Sequence, residues 1–269
     1  LTDNDRADGK TCLVTGATSG LGFALAVEMA RRGARVIMGC RSQIPEAGER
    51  VKDISGSDNV EMRFLDLSRV DSIHAFAEGL ARDKIQLDII ILNAGVALPG
   101  SRMTESGQDE MFMVNYLANV ILTQLLFTGG VIPRTRGNGS FRPRIIFISS
   151  DSHQGSSAID YSEFGIYRKY GVSIGISNYS YFKLVLNTYA TELSRRINTG
   201  GEVRAGIHAI CPGPVHTNII KPAPWLLRKI LGAIFSVVFR PPAKAALAVV
   251  YMAISPDYEG RTNEYLHMF

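Results

Sequence analysis

The chain has 269 residues, 46% of them hydrophobic and 20% charged, which suits one large globular α/β domain with a full core. A net charge of +4 is too weak to point to nucleic acid, and no motif for recognising nucleic acid is present. The three cysteines, Cys12, Cys40 and Cys211, have no metal-ligand spacing, so no metal site is expected; scattered in or beside apolar strands, they suggest a reducing compartment.

In chain order, Thr11 to Thr15 reads as a buried strand and residues 20 to 32 as a helix. Arg35 to Cys40, Val60 to Leu65, Asp88 to Leu92, Arg144 to Ile148 and Ala205 to Ile210 read as further strands. Helical stretches near 70–82, 107–128, 178–198 and 242–254 separate most of them. Continuous apolar runs of this kind belong to strands covered on both faces. The pattern predicts a doubly wound, Rossmann-type parallel sheet of about seven strands, a single domain over residues 1–269. Residues 133–143 read as a solvated surface loop. Two glycosylation sequons occur, at Asn138 and Asn178; a glycan on Asn178 would crowd Tyr179. The chain starts at Leu1, which leaves room for an anchor or targeting segment upstream.

Thr15-Gly16-Ala17-Thr18-Ser19-Gly20-Leu21-Gly22 lies between the first strand and the first helix, the context a dinucleotide loop requires. Gly16 allows the tight turn, Gly20 the close approach of a pyrophosphate, and Gly22 the packing of helix on strand. The helix N-terminus offers its N–H groups to phosphates. Where an acidic residue would bind a ribose 2′-hydroxyl, the second strand ends Gly39-Cys40-Arg41. Arg41 can pair with a 2′-phosphate, and nothing there would repel one, so NADP(H) is favoured over NAD(H). Asp66, after the third strand, suits an adenine amino group and equally a helix cap.

Tyr179 and Lys183 stand four positions apart, which on a helix puts phenol and ammonium on one face. A free tyrosine, with a pKa of about 10, is a poor proton shuttle at neutral pH. A neighbouring cation lowers that pKa; bringing it to about 7 takes roughly 4 kcal/mol. A Tyr-x-x-x-Lys spacing is common on solvated helices, and it gains meaning here from the nucleotide loop and from Ser149-Ser150 after the fifth strand.

Taken in order, these motifs resemble the short-chain dehydrogenase/reductase family over nearly the whole chain. The resemblance rests on Thr15-Gly16-x-x-x-Gly20-x-Gly22, Asn93-Ala94-Gly95, Asn115, Ser149-Ser150, Tyr179-x-x-x-Lys183 and Pro212-Gly213-Pro214-Val215-His216-Thr217. It implies that Tyr179 is the general acid/base, that Lys183 lowers its pKa and holds the nicotinamide ribose, and that Ser150 hydrogen-bonds the substrate oxygen, with Ser149 as the alternative. Asn115 is similar to the asparagine that holds a water in the proton relay. Gly16, Thr18, Ser19, Gly20, Leu21, Gly22, Arg41, Asp66, Leu67, Asn93, Ala94, Gly95, Pro212, Gly213, Val215 and Thr217 would join Tyr179 and Lys183 around the cofactor. The reaction moves a hydride between the nicotinamide ring and a carbonyl carbon while the oxygen gains or loses a proton.

Within the family, Val36-Ile37-Met38-Gly39-Cys40-Arg41 and Ser149-Ser150-Asp151-Ser152-His153 are similar to the retinol-dehydrogenase-like branch. Ser150 and Tyr179 stand 29 positions apart, longer than the family's usual spacing, and that branch carries an insert there, echoed by Ile159-Asp160 and Lys169-Tyr170-Gly171. Tyr116-Leu117-Ala118-Asn119 and Tyr181-Phe182 depart from the branch's usual residues. The resemblance implies retinoids, steroids or other lipid alcohols and carbonyls as substrates.

From Val203 to Pro256 there is no Asp or Glu, and the stretch Trp225 to Phe239 is apolar with Arg228 and Lys229 inside it. It is too short and interrupted to span a bilayer. An interfacial helix, a substrate lid at about 215–240 and a core or homodimer contact are its three readings. The expected location is the cytoplasmic side, membrane-associated at the endoplasmic reticulum or a lipid droplet in a eukaryote. Two other functions share the motifs: a non-catalytic nucleotide-binding scaffold, and reduction of a carbon–carbon double bond as in protochlorophyllide reductases.

Overall fold

The structure, a computed structural model, describes residues 2, 5–133, 141–162, 164–213 and 240–268. Seven strands form one sheet: β1 Thr11–Thr15, β2 Arg35–Cys40, β3 Val60–Phe64, β4 Ile89–Leu92, β5 Arg144–Ile148, β6 Gly206–Cys211 and β7 Tyr265–His267. Their order is β3-β2-β1-β4-β5-β6-β7, and every pairing is parallel. The order reverses between β1 and β4, and a crevice opens there at the carboxyl ends of the strands.

Both faces of the sheet are covered, which explains the unbroken apolar runs. Cys12, Val14, Val36, Met38, Ile89 and Ile91 point to one side, where α1 Gly20–Arg31, α2 Glu46–Ser55 and the C-terminal helix Pro242–Ile254 build the core. Leu13, Ile37, Ile90, Leu92, Ile145 and Phe147 point to the other. There α3 Val70–Arg82, α5 Ala118–Thr128 and α6 Val172–Ile197 pack. The alternation within each strand follows the two-residue period of the pleat. Residues 110–128 pass through α4 Glu110–Phe112, a π-turn Met113–Leu117 and α5. This stretch alone among the described residues is long and apolar enough to cross a membrane, but it is largely buried against the sheet and α3, as a core helix is.

The sequence-predicted elements match the six strands to within a residue or two. Four elements went unlocated: α2, the 3₁₀ turns Asp151–Gly155 and Pro256–Tyr258, and β7. Helix α2 has only Ala47, Gly48 and Val51 buried, too thin an apolar stripe to read. Strand β7 has three residues at an exposed edge. Helix α6 begins at Val172, six residues before the predicted start, because its first turns carry exposed Val172, Ile174 and Ile176 and lack an amphipathic signature.

Candidate active site

The loop after β1 is shaped by close approach. Gly16 has φ +66° and Gly20 φ +57°, the left-handed region that glycine enters without strain. A Cβ on Gly22 would stand 2.3 Å from Gly16 O and 2.4 Å from Asn93 Nδ2, so only glycine fits where α1 meets the loop. Thr15 ties β1 to β4: its hydroxyl accepts from the N–H groups of Asn93, at 3.0 Å, and Ala94, at 3.1 Å. Asn93 Nδ2 in turn donates to Thr15 O at 3.0 Å. Helix α1 starts at Ser19 with no side-chain cap and no acidic residue in its first turn, which leaves its positive end facing the crevice.

The crevice holds a cavity of about 450 Å³. Of the predicted cofactor residues, Gly16, Thr18, Ser19, Gly20, Leu21, Gly22, Arg41, Asp66, Leu67, Asn93, Ala94 and Gly95 all line it. Cavities of this size hold small molecules and cofactors. The glycine cradle and the uncapped helix end fit a dinucleotide pyrophosphate. Asp66 Oδ1 accepts from the N–H of Ser68 at 2.9 Å and from its hydroxyl at 2.7 Å, so it opens the turn ahead of α3 rather than capping the helix, which starts after Arg69. Pro212 and Gly213 follow β6 beyond the cavity wall. Val215, Thr217, Asn138 and the apolar stretch 225–239 lie outside the described residues.

Arg41 stands half exposed at the rim, with a carboxylate beside it: Glu110 Oε1 lies 3.9 Å from Arg41 Nη1. The expectation that nothing near Arg41 repels an anion is corrected here. Glu110 is 69 positions along the chain, and only the fold brings it to the end of β2. Arg102 pairs with the same carboxylate and also lines the cavity, a residue no sequence motif pointed to.

At the other end, α6 carries Tyr179 and Lys183 on one face, with the ammonium 5.7 Å from the centre of the phenol ring. Lys183 is buried and donates to Ile148 O at 2.7 Å, which fixes it against the end of β5. Ser150, two residues past that carbonyl, hydrogen-bonds the Tyr179 hydroxyl. Ser150 also accepts from Ser152 Oγ at 3.0 Å, and His153 Nδ1 lies 2.7 Å from Ser150 O. Ser149 is buried, its N–H paired with Ile210 O at 2.8 Å and its hydroxyl beside Tyr265 rather than Tyr179. Of the two serines, Ser150 faces the phenol.

Burial pushes the Tyr179 phenol up to about 12; the nearby Cys211 adds to the rise, and the Ser150 hydrogen bond opposes it. Burial also pulls the Lys183 ammonium down to about 8. Desolvation is the largest influence on the phenol; the expected lowering calls on Lys183 together with a positively charged cofactor ring. Cys211, at the end of β6, is a free buried thiol, itself raised by burial. It went unnoticed as a site residue because its proximity to Tyr179 depends on the β5–β6 pairing.

Asn115 sits in the π-turn and is buried. Its Oδ1 accepts from Val96 N at 2.7 Å and its Nδ2 donates to Val96 O at 2.8 Å. The amide thus clamps Val96, just after Asn93-Ala94-Gly95, with one of its two N–H groups and one of its oxygen's two lone pairs. A Cβ on Gly95 would stand 3.3 Å from Asn115 Oδ1 and 3.8 Å from Lys183 Nζ, so Gly95 is wedged between the two. Beside the phenol lies an aromatic wall of Phe112, Tyr116, Phe164 and Phe182, with ring centroids 5.4 to 5.7 Å apart. The insert is fastened by Tyr170, whose hydroxyl donates to Asp109 Oδ2 at 2.8 Å. Among the described residues no cluster could hold a metal ion.

The short chain dehydrogenase family model matches residues 10–162. Retinol dehydrogenase 14 of Mus musculus is 34% identical to this chain over 96% of it and 77% of the relative. Polyprenol dehydrogenase of Homo sapiens is 29% identical over 96% and 76%. Among solved structures, an uncharacterised protein from Mycobacterium paratuberculosis superposes with a TM-score of 0.73 at 27% identity, over 99% of this chain and 84% of that one. The RhlG/NADP active-site complex of Pseudomonas aeruginosa shares the fold, with a TM-score of 0.74 at 20% identity, over 100% and 98%. With its glycine cradle at the β1/β4 crevice and its serine, tyrosine and lysine gathered at the end of β5, the chain belongs to the short-chain dehydrogenase family and to its retinol-dehydrogenase-like branch.

Proposed function

We propose that this protein is an NADP(H)-dependent oxidoreductase that interconverts a lipophilic alcohol and its aldehyde or ketone. The observation that carries the reading is the convergence of Ser150, Tyr179 and Lys183 at the end of β5, beside a glycine-lined dinucleotide cavity. A bound nicotinamide cofactor would supply the hydride or receive it. The chain's residues do the rest. Ser150 and Tyr179 hold the substrate oxygen by two hydroxyls. Tyr179 would donate its phenol proton as a carbonyl is reduced and take the proton back, as phenolate, when the alcohol is oxidised. Lys183 would orient the nicotinamide ribose, and Asn115 holds Val96, which lines the cavity. The phenyl groups of Phe112, Phe164 and Phe182 make the substrate side apolar. Relatives named for retinol and for polyprenol support an alcohol carried on a long hydrocarbon. Arg41 supports the choice of NADP(H).

The test is NADPH oxidation with retinal, a polyprenal and a keto-steroid, with NADH and Tyr179→Phe as controls. NADPH-dependent turnover is expected, with a loss of about a hundredfold or more in the variant and cofactor affinity nearly unchanged. Undiminished activity in Tyr179→Phe would discard the mechanism. Tight cofactor binding with no turnover on any carbonyl would favour the scaffold. Membrane association through residues 225–239 belongs to the same reading. It predicts flotation with anionic liposomes that is lost when the apolar residues of that stretch are replaced by serine.

A further inference from the structure

Two arginines from distant parts of the chain meet at one carboxylate on the rim of the dinucleotide cavity. Arg41 ends the β2 side and Arg102 comes from the segment between β4 and α4; both line the cavity. Glu110 lies between them, its side chain only 8% exposed, while those of Arg41 and Arg102 are 54% and 57% exposed. Arg102 engages Glu110 through Nε and Nη2, the latter at 2.7 Å from Oε1. Arg41 Nη1 reaches the same Oε1 at 3.9 Å, an ion-pair contact beyond hydrogen-bonding distance. The main chain fixes the arrangement as well, since Glu110 N donates to Arg102 O at 2.8 Å. Arg102 is therefore held by a backbone bond and by a two-pronged side-chain pair.

Two guanidinium groups and one carboxylate leave one positive charge at the rim. A guanidinium has five donors in a planar fork, and a carboxylate occupies only one edge of it. Both arginines already converge on a single oxygen, the geometry that a compact oxyanion requires. Resting on the NADP(H) reading above, we propose that Arg102 is a second side chain for the adenosine 2′-phosphate, and that Glu110 orients Arg102 and Arg41 toward the point where that phosphate binds. Arg102 touches the cofactor; Glu110 acts through the arginines as a positioning residue.

The experiment is isothermal titration of the 269-residue chain with 2′,5′-ADP and with 5′-AMP, which differ by the 2′-phosphate alone. It is run on the wild type, Arg41→Ala, Arg102→Ala, Arg102→Lys and Glu110→Gln, with thermal melts to confirm folding. Wild type is expected to prefer 2′,5′-ADP. Arg102→Ala should weaken 2′,5′-ADP by about tenfold or more and leave 5′-AMP unchanged, with Arg102→Lys in between. Glu110→Gln should keep part of the preference, because both arginines remain. If Arg102→Ala weakens both ligands alike, or neither, Arg102 only supports the loop and the proposal falls, while a selective loss in Arg41→Ala would leave the NADP(H) reading standing. If Glu110→Gln matches Arg102→Ala on both ligands, the pair is a structural latch and the proposal again falls. If wild type binds both ligands equally, the NADP(H) reading itself fails and takes this proposal with it.

Discussion

Lys183 carries its ammonium where little water reaches it, held by one carbonyl, Ile148 O. A shift from 10.5 to about 8 means that the charged form costs about 3 kcal/mol more there than in water. Lys183→Met keeps the length of the side chain, removes the buried charge and gives up one hydrogen bond worth about 1 kcal/mol. The variant is expected to melt at or above the wild-type temperature while losing turnover, checked by calorimetry beside the NADPH assay. A variant that melts well below wild type would show that Lys183 holds the fold together instead. The sign with pH follows from the direction of the shift. The unfolded chain keeps this proton up to its ordinary pKa and the folded chain releases it near 8, so the penalty is present below pH 8 and fades as pH rises toward 10.5.

At the scale of elements, the site depends on how near α1, β1 and β4 come to one another. Gly22 sets that distance, since any side chain would press into Gly16 O and Asn93 Nδ2. Neither neighbour yields easily: one is backbone, and the other is held by its bond to Thr15 O. Gly22→Ala is expected to destabilise the protein by about 1–3 kcal/mol through overpacking. It should also lower NADPH affinity, because the loop must shift away from the helix end. Thermal melts and NADPH fluorescence titration read the two effects; a variant unchanged in both would show that the loop has slack. The π-turn at Met113–Leu117 does related work on the other side of the crevice. It places Asn115 so that one amide bonds both the N–H and the C=O of Val96.

For the whole molecule, acid is the expected weakness, and His208 is one source. It lies in β6, buried at 1% exposure, with its ring against Tyr258 at 5.4 Å between centroids. Burial, with Arg144 and Arg261 nearby, pulls it down to about 4 from 6.5. Arg144 is itself buried and tied to Ser255 O and Glu259, so its charge stays in place. The depressed value means that the unfolded chain binds the proton first. Stability from this group is full above pH 6.5 and is lost as pH falls toward 4, by about 3 kcal/mol in total. In urea titrations between pH 7 and 4, His208→Leu should lose less stability than wild type by about that amount. Parallel pH profiles for the two proteins would remove His208 as the cause.

The strands, the glycine loop and the order of the motifs were legible in the sequence because each depends on neighbours a few positions apart. A run of Ile and Val reports burial on two faces; Gly16, Gly20 and Gly22 report a turn that other residues cannot make; Tyr179 and Lys183 report a helix face. Short or weakly amphipathic pieces escaped: α2 buries three small positions, and β7 exists only because β6 offers it an edge. Contacts between distant positions could be decided only by the tertiary structure. Sheet order brought Cys211 beside Tyr179 and turned Ser150, not Ser149, toward the phenol. The segment between β4 and α4 carried Arg102 and Glu110 to Arg41. The sign of the Tyr179 shift belongs to the same class: spacing places a cation nearby, but desolvation is a property of the packed interior, and here it is the larger effect.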